Sequence, residues 1–363
     1  MSEPINFQSI FNQMEQQINK DDSIFSVKAE NPFHIQLTDP TQLYSRALNP
    51  IEMRMIQNIA NIDQYSWNRD ARGGLTSGFT LFDEALDGGV QPGLYLFASQ
   101  ANVGKSAFML QVAQQMSDLN DNVHVAYHSL DDSSNELAPR YIACKEQITI
   151  SQAKNPAKYA DQPDVLEKRN EGIKHLYRNA TRFSVWDSND GTSVEVMENR
   201  IKEMKMHFPE GTKLVIMIDS IYDLTVDSKQ LQEKALYEYV AKTVKSWCVT
   251  YDVVVMCTAH LRKLNGGRRP GTDDLKENNR LEYEANFIGL LYNEVGLFEE
   301  NAKVYWLNDE EESKMPVIEM KVGKNKFGSF KGTRFYEFMP NMSYMIEAPM
   351  EDCRRYAASV YGS

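Results

Sequence analysis

The stretch Gly93–Phe108, GLYLFASQANVGKSAF, decides the fold. The apolar run Leu94, Tyr95, Leu96, Phe97, Ala98 leads into a loop, then into Gly104-Lys105-Ser106 and a helical pattern from Ala107 to Met116. Strand, loop and helix in that order form a phosphate cradle, because loop N–H groups and a helix N-terminus converge on one anion. The cradle spans Ser99, Gln100, Ala101, Asn102, Val103, Gly104, Lys105, Ser106 and Ala107. Lys105 is placed to reach the β- and γ-phosphates, and the Ser106 hydroxyl to ligate Mg²⁺. Ser99 stands where the usual GxxxxGK[ST] pattern has its first glycine.

The pattern outward from that cradle alternates strand and helix from Gly73 onward, which predicts an α/β sheet. Phe79 to Leu86 reads as a short helix closed by Gly88-Gly89. Val123 to Tyr127 is the next strand, ending in His128-Ser129-Leu130-Asp131-Asp132, with a helix starting near Ser133 or Ser134. Residues 145–180 are helical and charged, 182–187 a strand and 193–207 a helix. Lys213 to Asp219 is a buried strand ending in an acid. An acid there caps a following helix or, after a phosphate loop, holds the Mg²⁺ shell, and the second role fits the spacing better. A helix over 230–250 and the strand Val253 to His260 follow. Continuous apolar runs mean strands covered on both faces, hence a mostly parallel sheet with helices on each side. Strand 286–292 and a C-terminal antiparallel hairpin, Val317–Gly323 and Gly332–Phe338, complete the domain.

The loop 261–273, LRKLNGGRRPGTD, carries Arg262, Lys263, Arg268 and Arg269. It is either a solvated surface loop or a contact for a phosphate backbone. A net charge of −12 over 363 residues argues against blanket polyanion binding, so any nucleic-acid contact must be local. No apolar run reaches the ~20 residues of a membrane span. The first residues lack a basic region followed by an apolar block, so no secretory signal is expected. Four scattered cysteines without metal-ligand spacing point to a reduced, cytoplasmic setting.

Three parts are expected: an N-terminal segment 1–70, the phosphate-loop domain 71–347, and a tail 348–363. Phe7, Ile10, Phe11, Met14 and Ile18 predict an amphipathic helix over 6–19. Asn49-Pro50-Ile51-Glu52 reads as a helix start, with Asn49 the cap and Pro50 the first helical residue. Ile51, Met55, Ile59 and Ile62 give that helix an apolar face, for docking on the main domain or on a neighbouring subunit.

With these blocks in order, residues 73–347 resemble the C-terminal ATPase domain of DnaB-type replicative helicases. The resemblance rests on Thr76-Ser77-Gly78-Phe79 through Gly89-Val90-Gln91-Pro92-Gly93 and on Ser129-Leu130-Asp131, where the family carries Ser-Leu-Glu. It also rests on Asp273-Asp274-Leu275-Lys276-Glu277-Asn278 with Glu282 and Ala285, and on Lys324-Asn325-Lys326-Phe327-Gly328, similar to the family's Lys-x-Arg-Asn-Gly. RecA and KaiC share only the first block and the phosphate loop. The resemblance implies a RecA-like P-loop fold and a ring, usually a hexamer, with ATP and Mg²⁺ between subunits. It implies that Asp131 activates the attacking water, that Asp219 holds the Mg²⁺ shell, and that His260 stands at the sensor position or caps its strand. Lys324 and Lys326 would reach a neighbour's phosphates, and the helix near 50–63 is a candidate inter-subunit linker. Lys276, Glu277 and Asn279 align with the family's DNA-backbone loop, so single-stranded DNA is the implied partner, tracked by its phosphates in the 5′ to 3′ direction. A loader or other replication partner and a phage or plasmid origin are compatible.

Three departures stand out. Asp131 is one methylene shorter than Glu, and Lys326 replaces an arginine finger without its planar fork. The sixty-odd residues before the domain are too few for the collar that docks primase in full-length DnaB, so a primase partner of that kind is not expected. The alternative function is a RecA-like protein that uses ATP to assemble on DNA with weak hydrolysis and no unwinding. A clock-type structural ATPase is a third class, which the basic loop disfavours.

Overall fold

The computed structural model describes residues 46–59, 73–264, 267–275, 279–308 and 313–362. The helix expected over 6–19 lies outside them. The chain divides into two compact units, Met1–Gly73 and Gly74–Ser363.

Within the first unit a helix occupies 50–59. Asn49 caps it as the sequence suggests: its Oδ1 accepts from Ile51 N and Glu52 N, each at 2.9 Å. Glu52 Oε2 in turn accepts from Asn49 N at 2.9 Å, completing a reciprocal capping box. Arg46 bonds both Glu52 oxygens and, with the Asn49 N–H, holds that carboxyl down at about 2. Ile51, Met55 and Ile59 are exposed.

The second unit is built on a ten-stranded sheet. Its parallel part runs β1 (Gly93–Ser99), β2 (Val123–Ser129), β3 (Phe183–Asp187), β4 (Lys213–Asp219), β5 (Val254–His260) and β6 (Phe287–Asn293). An antiparallel part follows: β7 (Tyr305–Asn308), β8 (Ser313–Asn325), β9 (Thr333–Met339) and β10 (Tyr344–Glu347). The order across the sheet is β10-β9-β8-β6-β1-β5-β4-β2-β3, with β7 paired to β8. β1 is buried along its whole length, and its side chains alternate between two cores as the period of a strand requires. Tyr95 and Phe97 enter one core; Leu94, Leu96 and Ala98 enter the other.

The first core is aromatic. Phe82 lies 6.0 Å from Phe97, 6.2 Å from Phe108 and 5.4 Å from Phe287 in tilted or edge-on pairs. Each such pair adds about 0.5–1.5 kcal/mol beyond burial. Phe82 comes from α1 (Thr80–Ala85) and Phe108 from α2 (Lys105–Leu119). The opposite core is centred on Trp247 of α7 (Glu233–Thr250) and on Met197 and Ile201 of α6 (Val194–His207). The charged stretch 145–180 resolves mainly into α3 (Ser134–Glu146) ending at its start, α4 (Ile150–Lys154) and α5 (Pro163–Arg178).

Two long-range polar contacts close the domain. Glu347 accepts from Leu81 N and Phe82 N, both at 3.1 Å, and so caps α1 from 266 and 265 residues away. Gln111 of α2 pairs with the backbone of Met345, donating to its O at 2.8 Å and accepting from its N at 2.7 Å. The side-chain amide thereby supplies β10 with the partners a strand would give it.

Residues 348–363, expected as a tail, instead contain a packed helix, α9 (Met350–Tyr361). Its Tyr356 is 1% exposed and packs on Val304, Val317 and Phe335. The single buried aromatic at helical spacing from Cys353 and Val360 is too sparse a stripe to stand out in the sequence. Tyr356→Ala should cost about 3–5 kcal/mol, measured by urea unfolding. Thiol labelling offers an independent check of burial. Burial pushes Cys144 and Cys248 up to about 12 and raises Cys257 well above the usual thiol range. Half-buried Cys353 should therefore be the first of the four to react with a thiol reagent, the other three reacting only on unfolding.

Candidate nucleotide site

The site lies where four adjacent strands end. Register pairs Ser99 with His260 across β1 and β5, and Ser129 with Asp219 across β2 and β4. The C-terminal rim therefore carries, side by side, the phosphate loop, His260, Asp219 and the turn holding Asp131. Outside the carboxyl ends of parallel strands is where open α/β sheets bind ligands.

The loop is shaped for an anion. Asn102 and Gly104 adopt left-handed backbone, with φ of 60° and 114°. A Cβ at position 104 would also meet Met345 at 3.3 Å, so only glycine fits. The first intrahelical bond of α2 is Phe108 N to Gly104 O at 3.0 Å. The N–H groups of Lys105, Ser106 and Ala107 precede it and face the cradle as donors. Lys105 is 7% exposed, and its Nζ donates to Ser99 Oγ and Gln100 O, each at 3.2 Å. Burial lowers its pKa, while Asp219 and Asp131 act to raise it. The serine at the usual glycine position thus parks the lysine with an oxygen that a phosphate can replace.

Asp219 is 9% exposed. Thr258 Oγ1 donates to its Oδ1 at 2.5 Å and Tyr127 OH to its Oδ2 at 3.1 Å. Burial, reinforced by the Asp219 charge, raises the Tyr127 phenol well above its usual range, so it serves as a fixed donor. Sequence reading passed over both residues. Their signal was position: Thr258 is two residues before His260, and Tyr127 two before Ser129, each on the face that reaches Asp219. Asp131 is exposed. Its neighbour Asp132 is held by Arg140 at 2.7 Å and by Ser129 Oγ on its carbonyl at 2.6 Å, which sets the turn and leaves Asp131 facing out. His260 stacks on Tyr222, with ring centroids 6.1 Å apart.

A hard cation fits this donor set. Ser106 would supply a hydroxyl and Asp219 a carboxylate, and Mg²⁺ would take its other ligands from phosphates and water. Among the described residues no three His, Cys, Asp or Glu side chains form a cage, and Mg²⁺ of this kind needs none.

Lys324 and Lys326 lie elsewhere. Asn325 pairs with Phe287 and Lys324 with Ile288 at the start of β6, and β6 runs parallel to β1. The hairpin tip is therefore at the N-terminal rim, one strand length, roughly 20 Å, from the phosphate loop of its own chain. The tip is braced: Phe327 stacks on Tyr95 at 4.9 Å, and Asn325 donates to Ala85 O at 2.7 Å. Lys324 Nζ donates to the carbonyls of Glu282 and Tyr283 at 2.5 and 2.9 Å, at the C-terminal end of α8 (Asn279–Glu284). Lys326 is exposed.

The basic loop leaves β5 at the nucleotide rim, where Leu261 N donates to Ser99 O at 3.0 Å. Much of its charge is engaged within the chain. Arg268 forks onto Asp274 at 2.7 and 2.5 Å. Arg269 bonds both oxygens of Glu319 and one of Glu294. Arg262 donates to the Asp273 carbonyl, and Lys263 is exposed. Lys276 and Glu277 fall outside the described residues; Asn279 opens α8.

A phosphate loop, an acid strand separated from it by one further strand, and polar residues at all four strand ends define a RecA-like P-loop nucleotide-binding domain. The chain belongs to the DnaB-like helicase C terminal domain family, whose sequence model matches residues 74–345. It is similar to a probable replicative DNA helicase of Trieres chinensis, at 23% identity over 80% of this chain and 60% of that protein. It is also similar to the replicative DNA helicase DnaB of Geobacillus stearothermophilus, at 25% identity over 69% of this chain and 54% of the relative. The matched region thus spans little more than half of these relatives. Among solved structures, the ATPase domain of G40P superposes with a TM-score of 0.69 at 22% identity, covering 84% of this chain and all of that one. A DnaB-like replicative helicase studied with primase gives 0.67 at 21% identity, over 94% and 75% of the two chains. Both support the fold.

Thr258→Val should cost about 1–3 kcal/mol, because it strips a donor from a buried carboxylate. Thermal unfolding measures that loss, and nucleotide binding with and without Mg²⁺ should show the defect only when the metal is present.

Proposed function

We propose that this chain is the ATP-hydrolysing motor of a ring-forming DNA helicase, a hexamer that moves along single-stranded DNA in the 5′ to 3′ direction during replication. The observation that carries the reading is the separation of the two halves of the site. Phosphate loop, Asp219, Asp131 and His260 share one rim, while Lys324 and Lys326 stand at the other. A strand length is too far for one chain to close its own site, whereas a second copy rim-to-rim would bring its lysines to the γ-phosphate.

In that assembly Lys105 leaves Ser99 and Gln100 for the β- and γ-phosphates. Ser106 and Asp219 hold Mg²⁺, and the loop N–H groups cradle the phosphate oxygens. Asp131 orients the attacking water, and His260 reads the γ-phosphate. Lys326 stabilises the charge that develops on it. Arg262, Lys263, Lys276, Glu277 and Asn279 line the path of the DNA backbone. The exposed apolar face of helix 50–59 suits docking on the neighbouring copy. A helicase loader is a natural further partner, and four free thiols suit the cytoplasm.

The test is a forked duplex with a 5′ tail and ATP. The chain should unwind it, and Lys105→Ala should abolish both unwinding and nucleotide binding. Unwinding that survives Lys105→Ala, or none by the unmodified chain, would sink the motor reading. Lys326→Ala should lower kcat by about 10²–10³-fold with little change in KM for ATP.

A second reading draws on Lys324, whose ammonium is occupied by helix carbonyls: a protein that assembles on DNA with ATP and hydrolyses slowly. Asp131→Glu combined with Lys326→Arg separates the two. A tuned motor should lose activity or hold steady, whereas a weak hydrolase should gain it.

A further inference from the structure

Arg269 looks, in sequence, like one of four cations offered to a phosphate backbone. Its surroundings give it another task. Its Nε donates to Glu319 Oε2 at 2.5 Å and its Nη2 to Glu319 Oε1 at 2.7 Å, a fork on one carboxylate. Nη2 also reaches Glu294 Oε2 at 2.8 Å. The guanidinium lies 5.0 Å over the ring of Tyr292, and the Tyr292 hydroxyl donates to the Gly267 carbonyl. The side chains of Glu319 and Glu294 are only 3% and 9% exposed. Three N–H contacts of the guanidinium are thus spent on two buried carboxylates of its own chain and are turned away from any phosphate.

The partners sit on different elements. Tyr292 is in β6, Glu294 just follows it, and Glu319 is in β8, register partner of Tyr292. Arg269 therefore ties the loop to the sheet. Arg268 differs: its carboxylate, Asp274, belongs to the loop itself and also accepts from Gly271 N at 2.8 Å. One arginine folds the loop on itself; the next fastens it down.

We propose that Arg269 is a positioning residue, an anchor that fastens the segment 267–275 to the sheet and, through the Arg262 N–H on Asp274 O, sets the pose in which Arg262 and Lys263 contact the phosphates of single-stranded nucleic acid. The nucleic-acid part rests on the helicase reading; the anchoring part does not. Lysine is the informative replacement, because it keeps the charge and loses the fork.

The experiment compares the full chain with Arg269→Lys, Arg268→Lys and Lys263→Ala in two measurements. The first is amide hydrogen exchange of peptides covering 262–275 and, as a control, β1. Arg269→Lys should speed exchange of the loop about tenfold or more and leave β1 unchanged. Arg268→Lys should loosen only the part between Gly271 and Leu275. Unchanged loop exchange in Arg269→Lys overturns the anchor. The second is the salt dependence of binding to a fluorescent oligo(dT). Lys263→Ala should reduce the slope of log affinity against log salt by about 0.7, one phosphate contact on a single strand. Arg269→Lys should weaken binding severalfold at each salt concentration with the slope preserved. A slope that falls in Arg269→Lys as in Lys263→Ala would make Arg269 a direct contact and overturn the proposal. Failure of the unmodified chain to bind oligo(dT) at low salt would count against the helicase reading, and the exchange result would still decide the anchor.

Discussion

A positive charge sealed into the end of a sheet sets the terms for the rest of this structure. Lys105 is almost wholly buried, and burial penalises its ammonium. Loop oxygens hold it in place, and two carboxylates on neighbouring strand ends make its charge tolerable. Those carboxylates must then be held in turn, which explains the hydroxyls of Thr258 and Tyr127 on Asp219. Lys105, Asp219, Thr258 and Tyr127 answer one another, and the apolar strands behind them supply the rigidity that keeps the spacing. The nucleotide site is therefore a property of four adjacent strands and not of the loop alone.

The same sheet keeps unlike tasks apart. Its C-terminal rim gathers the phosphate loop and the basic loop, which touch through Leu261 and Ser99. Its N-terminal rim holds the braced tip with Lys326. β8 runs between them, bearing Glu319 at its middle, level with the C-terminal end of β6, and Lys324 near its own C-terminal end. The two rims are thus joined by one strand hydrogen-bonded on both sides, whose pairing with β6 breaks register once, at Gly323.

Much of this was legible in residues alone. The parallel strands announced themselves as unbroken apolar runs; β1, β4 and β5 end at residues singled out for chemistry, and β2 ends two residues before Asp131. The Asn49 cap was readable because capping depends on a few adjacent residues. What escaped reading depends on residues far apart. Gln111 looks like any polar helix residue until Met345 arrives beside it. Tyr127 and Thr258 are ordinary strand residues whose meaning comes from Asp219 on the strand between theirs. The four basic residues of 262–269 were counted as charge, but the acids that engage two of them sit at 274, 294 and 319. Local sequence reports charge; it does not report who has claimed it. The C-terminal helix was missed for a simpler reason, since only one of its side chains is fully buried.

The bond between Glu347 and α1 has an implication for how the molecule is made. Helix α1 is among the first parts of the domain to leave the ribosome, yet its capping carboxylate is 265 residues downstream. The glutamine that pairs with Met345 waits almost as long. The aromatic core therefore stays open along one side until β10 has been made, and only a chain extended through Glu347 can shut it. Chains cut short before β10 would emerge with that side uncovered, as natural clients for chaperones and proteases.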